Sequence, residues 1–171
     1  MKISDLRGNA IVSMADGERV GTVKDVLIDT GKLQATALLI GGRPGQGYLP
    51  LDRVKSFGPD AITIKNADGI QWVTGQLHDD SGREAGELTN LRVIDGSGTE
   101  TGTVHEVTID LPRGNVLTLS VRKGGVFGIG ADNVDVPVSD IVSIGPSLVT
   151  VKTEAVSAEG AERRASGTDA G

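Results

Sequence analysis

The chain repeats itself, and this limits what it can become. Gly17-Glu-Arg-Val-Gly21-Thr-Val-Lys-Asp-Val-Leu-Ile-Asp29 lies over Gly98-Thr-Glu-Thr-Gly102-Thr-Val-His-Glu-Val-Thr-Ile-Asp110 at an offset of 81, with seven of thirteen positions identical. A second block follows in the same order: residues 49–65 lie over 136–152 at an offset of 87, with six of seventeen identical. Two ordered blocks mark a duplicated structural unit. The change of offset puts a six-residue insertion in the second copy, between Val121 and Val136. Each copy spans about 65 residues, near the lower size at which a domain sustains its own core. The expected organisation is a first domain over 1–75, a linker over 76–87 and a second domain over 88–152. Residues 153–171 are expected as a disordered tail, because they hold too little large apolar surface to offset ordering entropy.

The class of each copy follows from what fills its apolar positions. Aromatics are 2% of the chain, so the core must come from Val, Ile, Leu and Ala. Branched side chains favour a pleated surface. The 25 glycines suit many short turns, among them Asp16-Gly17, Thr30-Gly31, Ser97-Gly98 and Arg113-Gly114. Strands are expected at 9–14, 19–29, 33–40, 47–50 and 61–65, with a tight turn at 51–54. In the second copy they fall at 90–94, 100–110, 115–121, 134–138 and 148–152, with a turn at 139–142. No window of helical length carries a helical stripe. The fold class is all-β: two tandem small, partly closed barrels. The spacing Val23, Val26, Ile28 recurs as Val104, Val107, Ile109. It breaks strict alternation, so a bulge is expected near Lys24–Asp25 and near His105–Glu106.

Several function classes lose support. With no cysteine there is no disulfide, thiolate metal site or thiol nucleophile. The opening Met1–Arg7 lacks the apolar run of a signal peptide, and no stretch approaches a membrane span; a soluble, cytoplasmic protein is expected. Net charge is −6. Residues 1–75 carry nine basic and eight acidic side chains, and residues 76–152 carry six and eleven. A general nucleic-acid binder needs a basic field, and single-strand recognition needs aromatic platforms. Nucleic acid is therefore disfavoured as a partner.

No catalytic, cofactor or metal site is expected. His78 lies in the linker and His105 aligns with Lys24, so the fold requires no base there. Asp25/Glu106 and Asp29/Asp110 are single structural positions seen twice. Asp29 and Asp110 precede turns, where a carboxylate bonds local N–H groups. Asp132, Asn133 and Asp135 lack the Glu of a calcium loop. The glycine-rich loops 41–47 and 124–130 join strand to strand, whereas a phosphate cradle leads into a helix.

The pattern Ile3-Ser4-Asp5-Leu6, then Asp16–Asp29, Leu33–Ile40, Leu49-Pro50-Leu51-Asp52 and Val54–Ile64, resembles the PRC-barrel family. The second copy repeats it less closely, with Arg92 and Glu100 at positions that are Ile11 and Arg19 in the first. The resemblance covers about residues 3–65 and 88–152. It implies a six-stranded small barrel and a role in molecular interaction. The family is similar to the cytoplasmic domain of the photosynthetic reaction-centre H subunit and to the C-terminal domain of a 16S rRNA-processing factor.

A non-enzymatic protein-interaction module is thus the leading expectation, an adaptor or assembly factor engaging a protein partner or a second copy of itself. A ribosome- or RNA-associated maturation factor acting through the first barrel is the alternative. Candidate partner-binding residues are Val126, Phe127 and Ile129 on the inserted loop, with Arg43 and Arg53 on the first copy. Ile70, Trp72 and Val73 follow the first copy without a counterpart in the second; they are expected to pack at the junction of the two copies.

Overall fold

A computed structural model describes residues 1–74, 82–124 and 132–153. They form two compact units: Met1–Leu88 with Thr108–Val116, and Thr89–Val107 with Leu117 onward.

The first unit begins with a single helical turn, α1 (Ile3–Leu6), whose Ile3 and Leu6 are buried. Its strands are β1 (Ala10–Ser13), β2 (Arg19–Asp29), β3 (Gln34–Gly42), β4 (Gly45–Pro50), β5 (Val54–Phe57) and β6 (Ala61–Ile64). They lie in the order β5-β6-β1-β2-β3-β4, antiparallel throughout except for the parallel pair β1/β6. A two-residue strand, β7 (Gln71–Trp72), extends the edge beyond β4. Burial alternates along β1 and β6, which places Ile11, Ile62 and Ile64 on the core face. They meet Val23, Val26, Ile28, Leu38, Ile40 and Leu49 there. The expected bulge in β2 is present: Val23 pairs with Ile40 and Asp25 with Leu39, so Lys24 is the extra residue. The bulge lets Val23 and Val26 both face the core, which strict alternation forbids.

The unit continues through β8 (Arg83–Glu84) and a second helical turn, α2 (Ala85–Leu88). β8 pairs antiparallel with the end of β2, Leu27 opposite Glu84 and Ile28 opposite Arg83. All residues of β8 and α2 but Leu88 lie within 76–87, the stretch expected to link the copies. Polar composition concealed them, because Ala85 and Leu88 suffice to bury one face of so short a turn. Thr108–Val116 also belongs to this unit: Lys2 bridges Thr108, and Asn115 pairs with Gln34.

The second unit has the same strand order. β9 (Arg92–Asp95), β10 (Glu100–Asp110), β11 (Asn115–Arg122), β12 (Asn133–Pro137), β13 (Ile141–Ile144) and β14 (Leu148–Val151) run β13-β14-β9-β10-β11-β12. Again the pairing is parallel only at β9/β14. Val93, Val104, Val107, Leu119, Val121, Val136 and Val149 fill its core.

The class is all-β and each copy has the six strands that the resemblance implies. The expectation of barrels needs a correction: among the described residues no pairing joins β4 to β5 or β12 to β13, so neither sheet closes into a ring. The cause is local. Each corner is a proline, Pro50 or Pro137, followed by a 3₁₀ turn, Leu51–Arg53 or Val138–Asp140. Proline offers no N–H to a neighbouring strand, and the turn sends the chain along β6 or β14 instead. β5 and β13 were missed in the sequence because they are four residues long with exposed centres. Beyond residue 153, the expected tail lies outside the described residues.

Candidate functional site

A groove of about 640 Å³ opens on the first unit, lined by Glu18–Thr22, Gly41–Pro44, Ala67 and Trp72. Three backbones and one indole meet here. β2 and β3 cross so closely that a Cβ on Gly21 would stand 2.9 Å from the carbonyl oxygen of Gly41. On Gly42 it would lie 2.6 Å from Trp72 Cη2 and 2.7 Å from the Val20 carbonyl oxygen. Gly47, opposite Trp72 in the β4/β7 pairing, would place one 2.9 Å from Trp72 Cε3. The indole therefore rests on glycine backbone, held by β7 and by the Val73 N–H donating to the Gln46 carbonyl at 2.9 Å. Trp72 stays half-buried, so part of the ring faces the groove. Gly45 closes the β3/β4 turn at φ +126, a conformation that side chains strain.

Cations surround this glycine floor. Arg19 donates from Nη2 to Thr22 Oγ1 at 2.9 Å and has no carboxylate partner among the described residues. Lys24, the bulged residue, lies along Gly41, with Cε 2.6 Å from where a Cβ would stand, and is not among the lining residues. Arg43 is exposed at the tip of the turn. Glu18 is the acid among the lining residues.

The second unit shows what the fold itself demands. β10 and β11 align with β2 and β3 without a gap, and the close approach recurs. A Cβ on Gly102 would collide with the Arg122 carbonyl, yet where the first copy has Gly41 and Gly42, the second has Arg122 and Lys123. Arg122 Nη2 donates to His105 Nε2 at 3.0 Å, the counterpart of Lys24 lying along Gly41. Since arginine only donates, Nε2 is the acceptor, and His105 is engaged in a structural contact. The close strand approach thus needs one glycine; Gly42 answers to Trp72, and Gly41 to Lys24.

The remaining residues singled out in the sequence are spread over the molecule. Arg53 lies in the 3₁₀ turn after β4, beside Asp52 at 4.0 Å, and is not among the groove residues. Ile70 is 6% exposed and reaches Gly47; with Trp72 and Val73 it forms a strap along β4 of the first unit. Val126, Phe127 and Ile129 lie outside the described residues. Asp29 bonds the N–H groups of Gly31 and Lys32, both at 3.0 Å. The Lys32 N–H is the main cause holding its carboxyl below the usual range. Asp135 accepts from Ser120, and among the described residues no cluster of three or more potential metal ligands forms. No helix among them is long and apolar enough to cross a membrane.

In the sequence Gly41 and Gly42 read as part of a strand-joining loop, and Trp72 as part of the junction between copies. What was not legible was that they converge, because Trp72 is 25 positions from its partner Gly47 and arrives there only by strand pairing.

The PRC-barrel domain matches residues 1–71 and again residues 81–156. The chain belongs to the PRC-barrel family. The second match begins at residue 81, so it takes in β8 and α2. A PRC-barrel copy in this protein therefore starts with its helical turn, Ile3–Leu6 in the first and Ala85–Leu88 in the second. No curated protein matches the chain.

Proposed function

We propose that this tandem PRC-barrel protein is a non-enzymatic cytoplasmic interaction module, an adaptor or assembly factor, and that the groove at Trp72 is its contact surface. One observation carries the reading. The second copy builds the same six-stranded order with Arg122 and Lys123 in place of the glycine pair, so Gly41, Gly42 and Trp72 are a local addition to the fold. An accessible aromatic ring on a glycine floor, rimmed by unpaired cations, has the character of an interaction hot spot.

The test is capture from the native host by the full chain and by Arg43→Asp. Arg43 is exposed, so the variant keeps the fold while reversing the charge of the rim. Loss of specific partners with Arg43→Asp, and their retention with Val142→Asp on the second unit, supports the reading. Equal capture by both variants contradicts it. Salt-dependent co-sedimentation with ribosomes would turn the choice to the maturation-factor alternative.

A further inference from the structure

We infer that the groove accepts an extended, acidic protein segment that sets an apolar side chain against Trp72; this rests on the groove being the contact surface. The first argument is charge. The chain is acidic at −6, and the first 75 residues nearly balance. In the groove lining Arg19 and Arg43 stand against one acid, Glu18, and neither arginine has a carboxylate within ion-pair distance among the described residues. Cations clustered without partners attract an anionic occupant, and the walls of a groove focus that field.

The second argument is shape. Gly21, Gly41 and Gly42 line one wall with backbone alone, so no side chain of theirs projects into the groove. The volume of about 640 Å³ admits a short stretch of chain and not a folded surface. Trp72 then supplies apolar contact for a side chain projecting from that stretch.

The observations favour peptide over RNA. Single-stranded nucleic acid wants successive aromatic platforms and a basic track. Trp72 is the one aromatic residue lining the groove, and the chain as a whole repels a polyanion.

Because the chain has one tryptophan, its fluorescence reports the groove directly. The full chain is titrated with a short peptide alternating Glu and Leu, with matched Gln–Leu and Lys–Leu peptides, and with oligouridylate. The expected result is a saturable change with the Glu–Leu peptide, weakened by added salt. Arg43→Ala should weaken it about tenfold, the loss expected for one charge-assisted hydrogen bond. Arg92→Ala, on the second unit, should leave it unchanged, and circular dichroism checks that each variant is folded. Equal response to the Gln–Leu peptide overturns the acidic requirement. A stronger response to oligouridylate overturns the peptide assignment, and silence with every probe overturns the inference. None of these outcomes decides whether the groove is a contact surface, because the Arg43→Asp capture experiment reads that independently of the occupant's chemistry.

Discussion

Gly86 donates its backbone N–H to Oδ2 of Asp25 at 2.9 Å, across 61 positions of the chain. Asp25 belongs to the first PRC-barrel copy and Gly86 to the opening turn of the second. The exchange is reciprocal. Glu84, just before α2, pairs with Leu27 of β2; Lys2, just before α1, bridges Thr108, which is the same position of the repeat as Leu27. The N–H of Ile109 also donates to the Met1 carbonyl at 2.9 Å. The leading residues of each copy thus complete the long strand of the other. A sequence twofold over itself has satisfied its backbone groups by crossing over.

Asp25 should be the most sensitive polar residue of the first unit. It is 6% exposed. Its Oδ1 accepts from Val26 N at 2.8 Å and from Arg7 Nη2 at 3.0 Å. Asp25→Ala leaves the Val26 and Gly86 N–H groups without their acceptor, and should cost about 2–4 kcal/mol, since each buried donor left unpaired costs about 1–3 kcal/mol. Urea denaturation measures it. A loss under about 1 kcal/mol would show that the network contributes no more than an ordinary hydrogen bond.

Cutting the chain between Thr74 and Gly82 should not separate the pieces. β8 still pairs with β2, and Ala35 N–H still donates to the Gly114 carbonyl at 2.7 Å. A protease site placed there, followed by cleavage and gel filtration at native pH, should give one peak holding both pieces. Two peaks would refute the crossed arrangement.

Glu84 makes the stability depend on pH. Burial raises its pKa above the ordinary 4.5, the carboxylates of Asp25 and Glu87 add to this, and Arg7 opposes it. The folded state therefore holds this proton more tightly than the unfolded chain does. Its contribution is present at low pH and is lost as pH rises through the folded pKa. Glu84→Gln should raise the melting temperature at neutral pH, with the gain vanishing below about pH 4. Asp16, Asp29 and Asp95 act in the opposite sense: local hydrogen bonds lower their pKa values from 3.8, so what they contribute is lost only on strong acidification. An equal gain for Glu84→Gln at both pH values would show that the effect is not titration of this group.

Gly42 and Trp72 should behave as a coupled pair. Gly42→Ala sets a methyl against the indole and the Val20 carbonyl, and overpacking of this kind costs about 1–3 kcal/mol. In a Trp72→Ala background the indole clash is gone and the cost should fall, giving a coupling of at least about 0.5 kcal/mol. Lys123→Gly, the matching change in the second copy, should stay within about 1 kcal/mol, the usual penalty for introducing glycine. Thermal denaturation of the four-member cycle checks this, and strict additivity would contradict it.

Much of this was open to reading in the residues. The two offsets located both copies, and the run of branched residues with Gly turns placed the long strands: 19–29 and 100–110 stand as expected. The broken alternation of Val23, Val26 and Ile28 announced the bulge that throws Lys24 outward. Glu106 Oε1 accepts the next N–H, that of Val107, at 2.9 Å, as Asp25 does for Val26. Short elements escaped. β5, α1 and α2 have four residues each, too few to show a period.

Sequence by itself determined the class, the duplication and the core, because periodic burial is written locally in every strand. Tertiary structure decided which residues meet. Trp72 sits over Gly42 and Gly47 because β7 pairs with β4, and Asp25 receives Gly86 because β8 pairs with β2. Strand pairing is made of backbone hydrogen bonds that every residue but proline can form. The chain's local pattern therefore says that a strand wants a neighbour, while packing of the whole unit selects which one.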